Sequence, residues 1–197
     1  MLGPEVVLVR HGETLWSRSG KHTGRTDVPL TEEGRRQSER VGDTLRGRRF
    51  ELVLTSPLQR AAETCRLAVL GDVALVREEL MEWDYGAYEG RTTVEIRADV
   101  PGWSLWRDGV PGGETATDVG SRVDRVIAEV RAVDSDVALF AHGHLLRVLA
   151  ARWLGLPPTE GRLFALDPAT ISILGHEREM PVIRRWNEHL QLERFGA

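Results

Sequence analysis

The chain has 197 residues, 41% hydrophobic and 28% charged, with a formal net charge of −4. That length suits one globular domain, and no apolar run approaches the roughly 20 residues of a membrane span, so neither a fibre nor a membrane protein is expected. A net negative chain lacks the basic stripe that general nucleic-acid binding needs, and Cys65, the only cysteine, leaves no partner for an internal disulfide. The start lacks a basic segment followed by a long apolar one, so a cytoplasmic protein with no nucleic-acid or membrane partner is expected.

In chain order, the first element is the apolar run "VVLV" (6–9), which stops on Arg10 and His11. "ELVLT" (51–55) reads as a second strand, and Ser56-Pro57 as the N-cap and first turn of a helix to about Leu70. "VALV" (73–76) is a third strand; like the others it is short, apolar and bounded by polar residues, as strands buried on both faces are. The stretch 82–113 is rich in Gly, Trp and charge, with one short helix at 92–99, and reads as an irregular insertion covering a substrate. Val119, Val123, Val126, Ile127 and Val130 form one stripe of a helix over 115–131. "VALFA" (137–141) is the fourth strand, followed by a helix over 144–154. "ISILGHE" (171–177) and "MPVIRRW" (180–186) alternate more and suit strands nearer an edge; the tail from 187 reads as a terminal helix or a frayed end. Strands alternating with helices predict an α/β fold, a three-layer αβα sandwich with a mostly parallel central sheet. With no repeat and no linker, residues 1–197 read as a single domain with its insertion at about 82–113.

Ligands of open α/β sheets bind beyond the carboxyl ends of the strands. Those ends carry Arg10-His11-Gly12-Glu13, then Ser56-Pro57 with Arg60, then Glu79 to Glu82, then His142-Gly143-His144. Two arginines, two or three histidines and a carboxylate on one rim suit phosphoryl transfer. Arginine forks pair with phosphate oxygens, helix N-termini after Ser56 and Gly143 add N–H donors, a neutral histidine can attack phosphorus, and a carboxylic acid can protonate the leaving oxygen. No metal or cofactor is demanded. His142-x-His144 alone would be half a zinc site, without the further ligands such sites need.

The set Arg10-His11-Gly12-Glu13, Ser56-Pro57-x-x-Arg60, Glu82 and His142-Gly143 resembles the histidine phosphatase superfamily, in its phosphoglycerate mutase-like branch, over nearly the whole chain. The longer stretches "WSRSGKHTGRTDVPLTEEG", "EWDYGAYEG", "WRDGVPGGET" and "FAHGHLLR" are similar to small acid phosphatases and sedoheptulose-bisphosphatases. The resemblance implies that His11 is the phosphorylated nucleophile, that Arg10, Arg60 and His142 clamp the phosphoryl oxygens, and that Glu82 protonates the leaving group and later activates water. Ser17, Thr23, Gly24, Tyr85, Arg107 and Gly143 are the residues expected to bind substrate or phosphate, and Gly12 to let the backbone approach it. Lys21, His22, Arg25 and Arg107 are basic residues expected near the pocket, where a second phosphate would favour a sugar bisphosphate. Trp16, Trp83, Tyr85, Trp103 and Trp106 are candidate cavity walls.

Cofactor-dependent phosphoglycerate mutases share this core but resemble one another in a longer insertion, a lysine where this chain has Thr93, and a second arginine where it has Asp108. Those departures favour a phosphomonoesterase acting on a small phosphorylated metabolite, with the mutase as the alternative. A regulatory module that binds phosphate without turnover is disfavoured because neither nucleophile nor acid is missing. His11 neutral and Glu82 protonated imply an acidic to near-neutral optimum. An exposed strand among the last elements leaves room for a homodimer.

Overall fold

In the computed structural model, which describes residues 3–189, the four apolar runs become β1 (Val6–Arg10), β2 (Leu52–Thr55), β3 (Ala74–Val76) and β4 (Val137–Ala141), paired in parallel. β5 (Ile171–Glu177) runs antiparallel to β1 and to β6 (Met180–Glu188), so the sheet order is β3-β2-β4-β1-β5-β6. Alternate residues of each inner strand feed two cores. Val7, Val9, Val53 and Phe140 pack under α2 (Glu32–Leu45) and α3 (Gln59–Leu67), while Val6, Leu8, Leu54 and Leu139 pack under α6 (Ala116–Arg131) and α7 (Gly143–Trp153). Helix, sheet, helix is the expected three-layer order. Between these lie α1 (Leu15–Arg18), α4 (Thr93–Asp99) and α5 (Leu105–Asp108).

Several expectations shift. β3 is an edge strand with Leu75 and Val76 half exposed, not one buried on both faces, because only β2 pairs with it. β5 and β6 lie at one side of the sheet, nearer an edge as expected; β6 is the edge strand, and β5 beside it is buried from Ile171 to Gly175 because β6 covers its far side. α2 has no counterpart in the apolar pattern: its buried face is Gly34, Ser38, Val41 and Leu45, half of it not hydrophobic. α3 begins at Gln59 with Leu58 as N-cap, so Ser56 is free of the capping role assigned to it. The 82–113 stretch does contain the expected short helix, α4, capped by a reciprocal Thr92–Glu95 pair. It is packed more than draped: Trp83, Tyr85, Ile96, Trp103 and Leu105 are all buried. The tail is strand through Glu188, and residues 190–197 lie outside the described residues.

The topology makes the site. β1 and β4 are neighbours, yet the chain leaves β1 for α2 on one face of the sheet and leaves β4 for α7 on the other. The two departures open a crevice between their carboxyl ends. Gly12, just past β1, is required there for a reason other than phosphate approach. A Cβ on Gly12 would lie 2.3 Å from the Gly34 carbonyl oxygen, and one on Gly34 only 2.1 Å from that of Glu13. The Gly12 N–H is already spent on Thr64 Oγ1 at 3.0 Å. Two glycines thus let α2 close on the segment that carries His11.

Alanine normally favours a helix over glycine, by about 1 kcal/mol, so Gly34→Ala is diagnostic. Backbone overlap should reverse the sign and cost about 2 kcal/mol, lowering the thermal midpoint by roughly 4–8 °C for a chain of this size. An unchanged or raised midpoint in calorimetry would refute the contact.

Candidate active site

β1 delivers Arg10 and His11 to the crevice, and the His11 N–H continues the ladder by donating to the Ala141 carbonyl at 3.0 Å. Behind them, the Ala169 N–H donates to both the Arg10 and His11 carbonyls, from a left-handed backbone with φ of 55°. The His11 ring is buried, with Nδ1 2.7 Å from the Gly12 carbonyl oxygen. A carbonyl only accepts, so Nδ1 carries the hydrogen and Nε2 presents the lone pair. Burial, then the Arg60 and Arg10 charges, hold the His11 pKa well below the usual histidine value, so the ring is neutral.

Two arginines flank it. Arg60, in the first turn of α3, is fully buried; its Nη2 donates to the Thr23 and Gly24 carbonyls at 3.0 and 2.9 Å, and Nη1 to that of Thr26 at 3.0 Å. Arg10 Nη1 donates to the Leu166 carbonyl. Neither forms an ion pair among the described residues, and burial lowers both pKa values from the ordinary arginine range. His142 lies 5.3 Å from His11, ring centre to ring centre, with Nε2 2.8 Å from Ser56 Oγ. Burial, chiefly, holds its pKa well below the usual value as well. Among the described residues four buried side-chain nitrogens lack a protein partner, and three of them are Arg10 Nε, Arg60 Nε and His142 Nδ1. Buried donors are rarely left unpaired, so three around one histidine mark the seat of an anion.

Glu82 faces them from the start of the 82–113 stretch. Its Oε1 accepts the Trp83 and Leu145 N–H groups, both at 2.9 Å, and its Oε2 accepts that of His144 at 3.0 Å. Glu82 therefore caps α7, leaving Gly143 as the first-turn N–H turned to the crevice. A Cβ on Gly143 would press on the Arg10 guanidinium at 3.2 Å, so a larger residue there would push that side chain by a few tenths of an ångström. At the start of α3 one expected donor is not free: Asp27 Oδ1 takes the Gln59 N–H at 2.8 Å.

Above this floor is a cavity of about 270 Å³, small for a small-molecule pocket, which commonly spans roughly 300–1,000 Å³. Arg10, His11, Ser17, Thr23, Glu82, Tyr85 and Gly143 line it, as do Lys21 and His22. Arg60 and His142 sit beneath. Three expectations fail. Gly24 is turned away, its N–H bonded to Glu89 and a Cβ position blocked by the Trp83 carbonyl. Arg25 pairs with Asp84 at 3.5 Å. Arg107 is exposed and bound to Asp108, which also accepts the Ser104 N–H, and neither residue lines the cavity. Of the aromatic candidates only Tyr85 lines the cavity; Trp83 and Trp103 are buried behind it.

Sequence reasoning gives no binding role to five lining residues, Gly20, Thr93, His144, Arg147 and Leu166. Tyr85 Oη lies 2.6 Å from His144 Nδ1. Burial raises the Tyr85 pKa and lowers that of His144, so the phenol donates to a neutral imidazole. Arg147 stacks at 4.7 Å on Trp106, donates to the Gly161 carbonyl at 3.1 Å, and has no carboxylate partner among the described residues. Its spacing was the available signal: four residues after Gly143, it lies on the same face of α7.

The family model of the histidine phosphatase superfamily (branch 1) matches residues 6–189. An acid phosphatase of Mycobacterium tuberculosis is 43% identical over 176 residues, which cover 87% of this chain and 86% of the relative. The sedoheptulose 1,7-bisphosphatase of Saccharomyces cerevisiae is 39% identical over 188 residues, 79% of this chain and 69% of the relative. The solved structure of a Mycobacterium tuberculosis open reading frame superposes with a TM-score of 0.91 at 38% identity, covering 95% of this chain and 99% of that one.

Four imidazoles, three buried and that of His144 half-buried, set a pH dependence. His11, His142 and His144 have pKa values well below 6.5, and burial pushes His22 down to about 4. The unfolded chain therefore binds more protons than the folded one from about pH 6.5 downward, and stability falls as pH falls through that window. The thermal midpoint in a phosphate-free buffer should drop by several degrees between about pH 7 and pH 5, and by less in His22→Gln. A flat profile would mean that these rings are solvated.

Proposed function

The chain belongs to the histidine phosphatase superfamily, and on that footing we propose that it hydrolyses small phosphorylated metabolites through a phosphohistidine at His11. The observation that carries this reading is the ring of unpaired buried donors around a neutral imidazole with its Nε2 lone pair free. A phosphomonoester seated there meets the N–H groups of Arg10 Nε, Arg60 Nε and Gly143, and His142 Nδ1–H when the Ser56 hydroxyl donates to His142 Nε2. His11 Nε2 attacks phosphorus, the bond to the leaving oxygen breaks, and the proton of Glu82 goes to that oxygen, releasing an alcohol. Oε2, which accepts one N–H against two for Oε1, is the oxygen with room for that proton. Water then enters, Glu82 takes its proton, the oxygen bonds to phosphorus, and the N–P bond breaks to restore neutral His11 and release phosphate. No step calls for a metal or a cofactor.

The size and charge of the cavity narrow the substrate. About 270 Å³ admits a small metabolite and no macromolecular chain. Lys21 and Arg147 add cations beyond the phosphoryl seat, and Glu82 is the single carboxylate on the wall. A second phosphate or carboxylate on the substrate complements that arrangement, in keeping with the bisphosphatase relative. Within one domain spanning residues 1–197, the 82–113 segment supplies Glu82, Tyr85 and Thr93 and so shapes the leaving-group side.

The test is metal-free hydrolysis of an aryl phosphate, 3-phosphoglycerate, sedoheptulose 1,7-bisphosphate and fructose 1,6-bisphosphate. Phosphate release should resist chelators and fall on the order of 10³-fold or more in His11→Ala. Interconversion of 3- and 2-phosphoglycerate with little phosphate released would instead establish the mutase reading. On the same panel, Arg147→Met should raise KM for the bisphosphates by about tenfold, the scale of one charge-assisted contact, while the aryl phosphate changes little. Equal effects on both would remove Arg147 from the substrate site.

A further inference from the structure

Glu82 stands on a segment with little regular structure of its own, between short helical turns at Glu78–Leu80 and Gly86–Tyr88. Its peptide groups need partners that no sheet ladder supplies. One side chain serves three of its carbonyls. Arg122, buried on α6, donates from Nη1 to the Glu79 carbonyl at 2.7 Å and the Met81 carbonyl at 2.6 Å, and from Nη2 to the Glu82 carbonyl at 3.1 Å. The rest of its fork is closed by Glu114, whose Oε1 accepts Nε at 2.8 Å and whose Oε2 accepts Nη2 at 3.0 Å.

Glu114 holds the other flank of the same segment. Its Oε2 accepts the Asp84 N–H at 2.9 Å, its carbonyl accepts Trp83 Nε1 at 2.8 Å, and its own N–H donates to the Asp84 carbonyl at 3.0 Å. Residues 79–84 are thus bound on both sides of Glu82 to one buried ion pair at the start of α6. The Glu82 carboxylate is separately fixed by N–H groups of α7. Backbone tied to one helix and carboxylate to the next leaves the side chain little freedom.

We propose that Arg122, braced by Glu114, is a positioning residue for proton transfer: it sets the backbone of Glu82 so that the carboxyl reaches the leaving oxygen. Arg122 does not line the cavity, so it touches no substrate, and its hydrogen bonds reach the site through the backbone of Glu82. Its planar fork serves three carbonyls and a carboxylate at once, which a lysine ammonium with three donors cannot reproduce. The proposal rests on the reading of Glu82 as the general acid, and the two can be tested separately.

A displaced acid matters most when the leaving group needs a proton. An alkoxide does; a nitrophenolate leaves without help. We would measure kcat/KM, which reports the phosphorylation step, for p-nitrophenyl phosphate and β-glycerophosphate in Glu82→Gln, Arg122→Met, Arg122→Lys and Glu114→Gln. The ratio of the two values within one preparation does not depend on the fraction folded. Glu82→Gln should lose on the order of 10²-fold or more on the alkyl ester and far less on the aryl ester. Arg122→Met and Glu114→Gln should lose about tenfold more on the alkyl than on the aryl ester, with Arg122→Lys recovering part of the difference. If Arg122→Met does not fold, Arg122→Lys and Glu114→Gln carry the same comparison. Equal losses on both esters in the Arg122 and Glu114 variants, with the leaving-group dependence of Glu82→Gln intact, would overturn the positioning role. Equal losses in Glu82→Gln would overturn the acid assignment itself.

Discussion

Burying two guanidinium groups without a carboxylate partner is the constraint around which the molecule is arranged. Arg10 and Arg60 are cations removed from water, a costly state for any charge. The protein does not neutralise them with ion pairs. It offsets part of the cost with fixed carbonyls, those of Leu166, Thr23, Gly24 and Thr26, drawn from loops distant in sequence. Those bonds leave the buried Nε–H of each guanidinium without a protein partner, a donor that an anion can complete. Burial first, and then the same two charges, keep the His11 ring neutral, so one buried cationic floor prepares both the seat of the phosphoryl group and the nucleophile.

The first turn of α7 is divided between the two halves of the proposed reaction. Gly143 lies against Arg10, and its missing side chain leaves the guanidinium room. The next two N–H groups hold Glu82. One helix end therefore fixes both the electropositive floor and the carboxyl opposite it, and their separation is set by a rigid element and not by a loop. This is the kind of preorganisation that lets donors act without rearranging during the reaction.

The sequence announces the parts of this design that are local. Short apolar runs ending in Arg10-His11 and in His142-Gly143 reveal both the strands and the rim, because a strand's last residues must leave the sheet at its edge. α6 and α7 are legible from their apolar stripes. α2 is not, since closeness to the His11 segment demands Gly34 and Ser38 on the face that a core helix would otherwise fill with leucine. Contacts between distant segments are equally hidden. Nothing local indicates that Asp27 takes the first donor of α3, that Ser56 turns from helix cap to His142 partner, or that Arg107 spends its charge on its own neighbour. Arg147 is the instructive omission, because helical spacing from Gly143 alone places it on the correct face.

The two ends of the cavity differ in how firmly their charges are held, and that difference bears on what an enzyme of this build discriminates. At the phosphoryl end, every donor is tethered by a second bond to backbone or side chain, so any phosphomonoester meets the same geometry. At the far end, Arg147 is fixed by Trp106 and the Gly161 carbonyl, whereas Lys21 rests 5.8 Å from the Trp16 ring with a flexible stem. A planar fixed guanidinium prefers a planar or bidentate anion at one distance; a mobile ammonium accepts many. Selection among substrates in the proposed reading therefore depends on Arg147 and on the Tyr85–His144 pair beside it, and the chemistry of phosphorus on groups that cannot tell those substrates apart.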